Sequence, residues 1–203
     1  MVTNQKTLRL VQLALFTAII LLMAFTPIGY IKTGGLSITL LVLPVAVGAI
    51  TLGPASGAIL GGIFGLTSFI QCFGLDPFGT TLFNINPVGA FILCFIPRIL
   101  MGWLTGLIFA AVRKADKSNN ISYVVGSLAG PILNTVLFMT AFLLIFYQTD
   151  FVQGLVSQFG SANAFEFVVA FVTVNGLIEA GVNFVAGTAI SKTIDIVARR
   201  SRS

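Results

Sequence analysis

Two charged side chains stand deep inside long apolar runs of this chain, Arg98 and Glu179. They have more chemistry to offer than anything around them. Glu179 is flanked at four-residue intervals by Asn175 and Asn183, so on a helix the three project from nearly one side. The residues between them are apolar or Gly. A carboxylate and two carboxamides in such a run are costly unless they line a polar interior or pair with other buried groups. The working reading is a solute-binding pocket inside a membrane helix bundle. Arg98 lies at a similar depth, about 15 Å into its own run at 1.5 Å per residue. Two roles stay open for the charged groups: an ion pair that holds two helices together, or direct contact with the solute. For an anionic solute Arg98 is the better anchor, because the planar guanidinium fork matches a carboxylate. Asn134, Asn84 and Asn86 complete the candidate set. The competing role for Asn134 is an interhelical hydrogen bond; for Asn84 and Asn86 it is helix capping.

Other chemistries are poorly served. There is no His, and the two cysteines, Cys72 and Cys94, are far apart in the chain without metal-ligand spacing, so no metal or cofactor is expected. Cys94 reads as a small core residue and Cys72 as a helix-end residue. Catalysis by acid, base or nucleophile would need a base or a paired carboxylate at depth, and none is present. No Gly-rich phosphate loop ending in Gly-Lys-Ser/Thr occurs, so the chain has no ATP site of its own. The net charge of +5 does not signal nucleic acid, because the basic residues fall in short clusters between apolar runs.

The elements that must hold these residues are membrane helices. Of the 203 residues 57% are hydrophobic and 8% charged, far below the roughly 25% charged residues of a soluble domain. The expected fold is all-α: one integral membrane domain over 1–203, a bundle of six transmembrane helices. The spans are read as 8–25, 36–52, 55–70, 88–112, 121–147 and 165–198, each long enough for a hydrocarbon core of about 30 Å. Pro44 is expected to kink the second span. Gly57, Gly61 and Gly65 give the third a strip for close backbone approach. Trp103 is expected to pack within the fourth, and Thr67 to bond its own backbone. The connections 71–87 and 148–164 read as long loops able to act as lids. No cleavage site follows the first segment, which is taken as mature. Lys6, Arg9, Arg113, Lys114, Lys117, Lys192, Arg199, Arg200 and Arg202 fall on one side and only Lys32 on the other, which places both termini in the cytoplasm.

The first span carries a separate signal. Ala14 and Ala18 lie one turn apart and flatten one flank of the helix. With six spans in about 200 residues, a basic N-terminal arm and this two-alanine motif, the chain resembles the substrate-binding S-components of energy-coupling-factor (ECF) vitamin transporters. The phrases Leu43-Pro44-Val45-Ala46-Val47-Gly48-Ala49-Ile50, Gly65-Leu66-Thr67-Ser68, Pro97-Arg98-Ile99-Leu100-Met101-Gly102, Asn134-Thr135-Val136-Leu137 and Asn175-Gly176-Leu177-Ile178-Glu179-Ala180 are similar to the pantothenate type within that family.

The resemblance implies a multi-pass subunit of the cell membrane that binds a vitamin from outside and has no enzymatic activity. It further implies that Ala14 and Ala18 dock on a shared transmembrane coupling subunit, which is driven by two ATPases. The small hydroxyl- and amide-bearing anion pantothenate suits Arg98 with several asparagines. Pyridoxine, a hydroxymethylpyrimidine precursor or folate are the alternative cargoes on the same scaffold. A secondary transporter working alone, with Glu179 as proton carrier, is the alternative of a different class.

Overall fold

The computed structural model describes residues 5–27, 29–33, 36–116, 120–158, 163, 166–167, 169 and 180–200. In chain order these form α1 (Gln5–Ala24), a hairpin of β1 (Tyr30–Thr33) and β2 (Leu36–Thr39), α2 (Val42–Leu52), α3 (Pro54–Gln71), α4 (Pro77–Ile85), α5 (Pro87–Ala115), α6 (Ile121–Phe146), α7 (Asp150–Gln158), a π-helical turn (Asn183–Gly187) and α8 (Thr188–Arg200). The described chain is thus helical apart from one two-stranded antiparallel hairpin, with Tyr30 opposite Thr39 and Thr33 opposite Leu36.

Among the described residues three helices are long and apolar enough to cross a membrane: Lys6–Ala24, Pro87–Ala115 and Ile121–Phe146. Other expected elements change shape. The second span, read as one helix over 36–52, divides into strand β2 and the 11-residue α2, about 16 Å long. Pro44 therefore stands in the first turn of α2 instead of its interior. Helix N–H groups lack intrahelical partners there, so the proline kinks nothing. The Ser37-Ile38-Thr39 stretch, with its β-branched residues, suits a strand better than a helix start. Each of the two long connections contains a nine-residue helix, α4 and α7, in place of an unstructured loop. Asp76 starts α4 as its N-cap, Oδ2 accepting from the Gly79 N–H at 2.7 Å.

The contact between α3 and α5 is the spine of the fold, and glycine explains it. A Cβ placed on Gly57 would strike Gly102 O, one on Gly61 would strike Arg98 O, and one on Gly65 would lie 2.9 Å from both Cys94 O and Phe95 Cα. Rising numbers on α3 meet falling numbers on α5, so the two helices run antiparallel with their backbones nearly touching. The strip expected from the sequence does pack in this way. It also fixes the Arg98 backbone at the middle of the contact. Substituting Gly61 by Val is expected to destabilise the protein by about 3 kcal/mol through overpacking against backbone. Its neighbour Gly62 faces only the Ile99 and Phe95 side chains, at 3.6 Å or more, so Gly62→Ala is expected to be tolerated. Thermal unfolding of both variants in detergent checks the contrast.

α1 lies beside α3 in the same direction, fastened at both ends. Arg9 Nη2 donates to Ser56 Oγ at 3.0 Å where both helices begin, and Gln71 Nε2 donates to Ala24 O at 2.7 Å where both end. α2 turns back into α3 through Gly53, whose φ of 91° suits glycine. α6 runs antiparallel to α5, joined near their connection by Arg113 over the Tyr123 ring, 5.1 Å from its centroid.

Two apolar cores result. One gathers Ile20, Leu41, Val42, Val45, Leu60, Phe64 and Met101 from α1, the hairpin connection, α2, α3 and α5. The other gathers Leu82, Leu93, Met139, Phe142, Phe146, Val152 and Val156, so α4 and α7 cap the ends of α5 and α6. Trp103, expected to pack inside, is 44% exposed on the outer face of α5. That position suits an amphipathic indole facing lipid.

Candidate functional site

The pose of Arg98 follows from the residue before it. Pro97 lies in the interior of α5 and has no N–H, so the carbonyl four residues earlier, Leu93 O, loses its helical donor. Arg98 Nη1 supplies the missing bond at 2.7 Å. The side chain therefore folds back along its own helix toward the start of α5, and it is only 9% exposed. The guanidinium lies between two aromatic faces, 4.6 Å from the Phe138 ring centroid on α6 and 5.5 Å from that of Phe64 on α3. Such faces steady a cation and strip its water without neutralising it. Nε, a buried donor, has no hydrogen-bond partner among the described residues. An arginine has five N–H donors in a fixed fork, so most of its capacity for a carboxylate stays unused by Leu93 O.

Polar groups on three elements stand near this cation or about one helical turn from the rings that flank it. Tyr30, at the start of β1, is largely buried near Ser68 and Gln71 of α3 and within electrostatic range of Arg98. Its hydroxyl makes no hydrogen bond of good geometry to a described residue. Burial pushes the Tyr30 phenol up, only partly offset by Ser68, the Arg98 charge and Gln71, so it stays a neutral donor at physiological pH. Asn134 of α6 is 6% exposed and lies one helical turn before Phe138, the residue that stacks on the guanidinium. Thr67 Oγ1 bonds back to Phe64 O at 2.8 Å, as its place in an apolar helix predicts.

The remaining sequence-derived candidates fall elsewhere or out of view. Asn86 is the N-cap of α5: Oδ1 accepts from the Gly89 N–H at 2.9 Å on an exposed turn. Asn84 is exposed near the end of α4. Asn175 and Glu179 lie outside the described residues, and with them the question of an Arg98–Glu179 pair. Asn183, third in their row, is fully buried at the first position of the π-turn. Two helical turns later comes Ser191, likewise fully buried, and Ser127 and Thr105 are buried on α6 and α5. Among the described residues no group of three His, Cys, Asp or Glu is placed to hold a metal. Ala14 and Ala18 sit on the exposed side of α1, between Leu10, Val11, Leu15 and Leu22, which are 61–67% exposed.

Sequence reasoning missed three features of the site. Phe64 and Phe138 are ordinary apolar residues in the sequence, and nothing local marks them as cation partners. Gln71 was one polar residue in a connection, and its bond to Ala24 O is long-range. Cys72 and Cys94, read as unrelated, have Sγ atoms 3.8 Å apart. The Pro97-Arg98 dipeptide was the one local signal available for the Arg98 pose.

A buried cation whose Nε has no acceptor among the described residues, with aromatic walls and neutral polar neighbours, can hold a small anion. The comparisons with known proteins agree. Residues 8–190 match the family described as ECF transporter, substrate-specific component. The pantothenate transporter PanT of Leuconostoc mesenteroides is 30% identical over 98% of this chain and 98% of its own length. The pantothenic acid transporter PanT of Lactococcus lactis is 36% identical over 55% of this chain and 59% of its own length. The chain belongs to the substrate-specific component family of ECF transporters, a transport subunit and not an enzyme, and both of these relatives carry the name of a pantothenate transporter.

Proposed function

We propose that this protein captures pantothenate from outside the cell and delivers it as the substrate-specific subunit of an ATP-driven ECF transporter. The observation that carries the reading is Arg98: a buried, aromatic-flanked guanidinium with unused donors near neutral hydroxyl and amide groups. Pantothenate matches those groups in kind, its carboxylate for the guanidinium fork and its hydroxyls and amide for Asn134 and Tyr30. Asn175 and Glu179 complete the polar lining in this reading, and Asn84 and Asn86 contribute from the outer rim. The two PanT relatives support the same cargo.

In this account six spans cross the cell membrane with both termini in the cytoplasm, and α1, α3 and α6 run outward. The start of α5, the end of α6, α4 and α7 then cover the site from outside. Ala14 and Ala18 present the flat flank of α1 to the coupling subunit, and two ATPase subunits supply the work of transport. The chain's own part is to bind the vitamin, exclude water from it and dock.

A thermal-shift panel on the purified protein tests the cargo. Pantothenate is expected to raise the unfolding temperature by several degrees, since ligand at 100 times Kd stabilises by about 2.7 kcal/mol. Pyridoxine, a hydroxymethylpyrimidine and folate are expected to leave it unchanged. A shift with one of those and none with pantothenate overturns the assignment.

A further inference from the structure

We propose that Cys72 and Cys94 are a disulfide-forming pair, a site of oxidative modification that clamps the outer ends of α3 and α5 together one helical turn above Arg98. The two residues are 22 positions apart in the chain, yet their Sγ atoms are in van der Waals contact at 3.8 Å. The fold explains the approach. Cys72 lies seven residues, two turns, beyond Gly65, so it continues the glycine-lined side of α3. Two turns before Cys72, Gly65 presses its backbone onto Cys94 O and Phe95 Cα, which brings α5 close against this part of α3. Joining the sulfurs requires closing a gap of roughly 2 Å between atoms already in contact, a movement of the size that side-chain rotation supplies.

Both thiols are buried, at 3% and 8% exposure. Cys72 donates to Ser68 O at 3.4 Å, and a Cβ on Gly79 would lie 2.8 Å from its sulfur, so the first turn of α4 forms the cover. That cover is a nine-residue helix pinned at its start by the Asp76 cap. Short end-capping helices of this kind open locally at far lower free energy than the bundle. The pair is thus reachable by a small two-electron oxidant, a quinone or a low-molecular-weight disulfide. In the exchange one S–S bond forms between Cys72 and Cys94 and both S–H bonds break. The two protons and two electrons pass to the oxidant, giving the quinol or two small thiols. The consequence is mechanical: α3 and α5 carry Phe64 and Arg98, and a covalent tie beside them fixes the spacing of two walls of that site.

The test oxidises the purified full-length protein in detergent with diamide, whose N=N bond takes up the two hydrogens to give the hydrazine. Expected are a mass lower by two hydrogens, loss of both sites of maleimide alkylation, and a Cys72–Cys94 linked peptide on non-reducing digestion. The unfolding temperature is expected to rise by roughly 5–10 °C for a closed loop of this length, and dithiothreitol should reverse all four changes. Cys72→Ser and Cys94→Ser should each keep one alkylatable thiol and show no thermal shift. If both thiols remain alkylatable after treatment that fully oxidises the denatured chain, or if oxidation links two molecules and not two residues of one, the proposal fails.

Discussion

Replacing Arg98 by Gln is expected to weaken pantothenate binding by roughly 30- to 1,000-fold, the equivalent of about 2–4 kcal/mol for removing one partner of a desolvated charge pair. Gln keeps a polar, hydrogen-bonding end but is two bonds shorter and lacks the charge and the fork. The variant also gives up the bond to Leu93 O, so part of the loss could come from a loosened helix. Two controls separate the effects. Arg98→Lys restores the charge as a point donor without the planar fork, and is expected to recover part of the affinity. Pro97→Ala returns an N–H to Leu93 O and so competes with Arg98 for that carbonyl. It is expected to keep or raise the unfolding temperature while weakening binding, because the guanidinium is no longer drawn back along α5. Titration calorimetry with a parallel melt of each variant reads both quantities. A Kd for Arg98→Gln within twofold of the parent would remove Arg98 from the site.

Substituting Ala14 or Ala18 by Trp is expected to abolish uptake in cells while leaving the Kd of the purified protein within about twofold. Both methyl groups are on the exposed side of α1, so a larger side chain there points away from the described residues of the bundle. Against a partner helix, an indole would hold two backbones several ångströms apart and remove the packing on which helix association in lipid depends. Uptake of labelled pantothenate and calorimetry on the same variants check this. Retained uptake would dissociate the flat flank of α1 from docking, and lost binding would show that the alanines serve the bundle instead.

The helices most visible in the sequence were those with long uninterrupted apolar runs. α1, α5 and α6 appear within a few residues of their expected bounds, because long apolar runs leave little choice, and Asn86 as cap with Pro87 in the first turn marks the start of α5. The glycine strip of α3 was legible for the same reason: absent side chains at four-residue spacing have one common use in such a helix. The hairpin before α2 was not. The four residues of β2 are apolar enough to join the following run, and only their pairing with β1, Tyr30 opposite Thr39, shows that they leave the helix. α4 and α7 were hidden because short amphipathic helices are stabilised by what they cover, here Phe142, Phe146 and Leu93, and not by their own composition.

The site divides along the same line. Arg98 and Asn134 were visible because a buried charge or amide in an apolar run demands an explanation. Their surroundings were not, since Phe64, Phe138, Gln71 and the Cys72–Cys94 contact depend on which helix faces which. Asn86 shows the opposite difficulty. A polar residue before a helix serves capping and ligand binding with equal ease in a sequence, and its bond to Gly89 appears only in the fold.

The central claim is that the Arg98 guanidinium recognises the carboxylate of the cargo. Its most direct measurement is calorimetric titration of the parent protein and Arg98→Gln with pantothenate and with pantothenol, the analogue whose carboxylate is replaced by an alcohol. The account predicts that the parent prefers pantothenate by at least about 30-fold, a charge-pair effect of about 2 kcal/mol. It predicts that Arg98→Gln binds the two ligands with nearly equal, weak affinity. Equal affinity of the parent for both, or a preference that survives in Arg98→Gln, would contradict it.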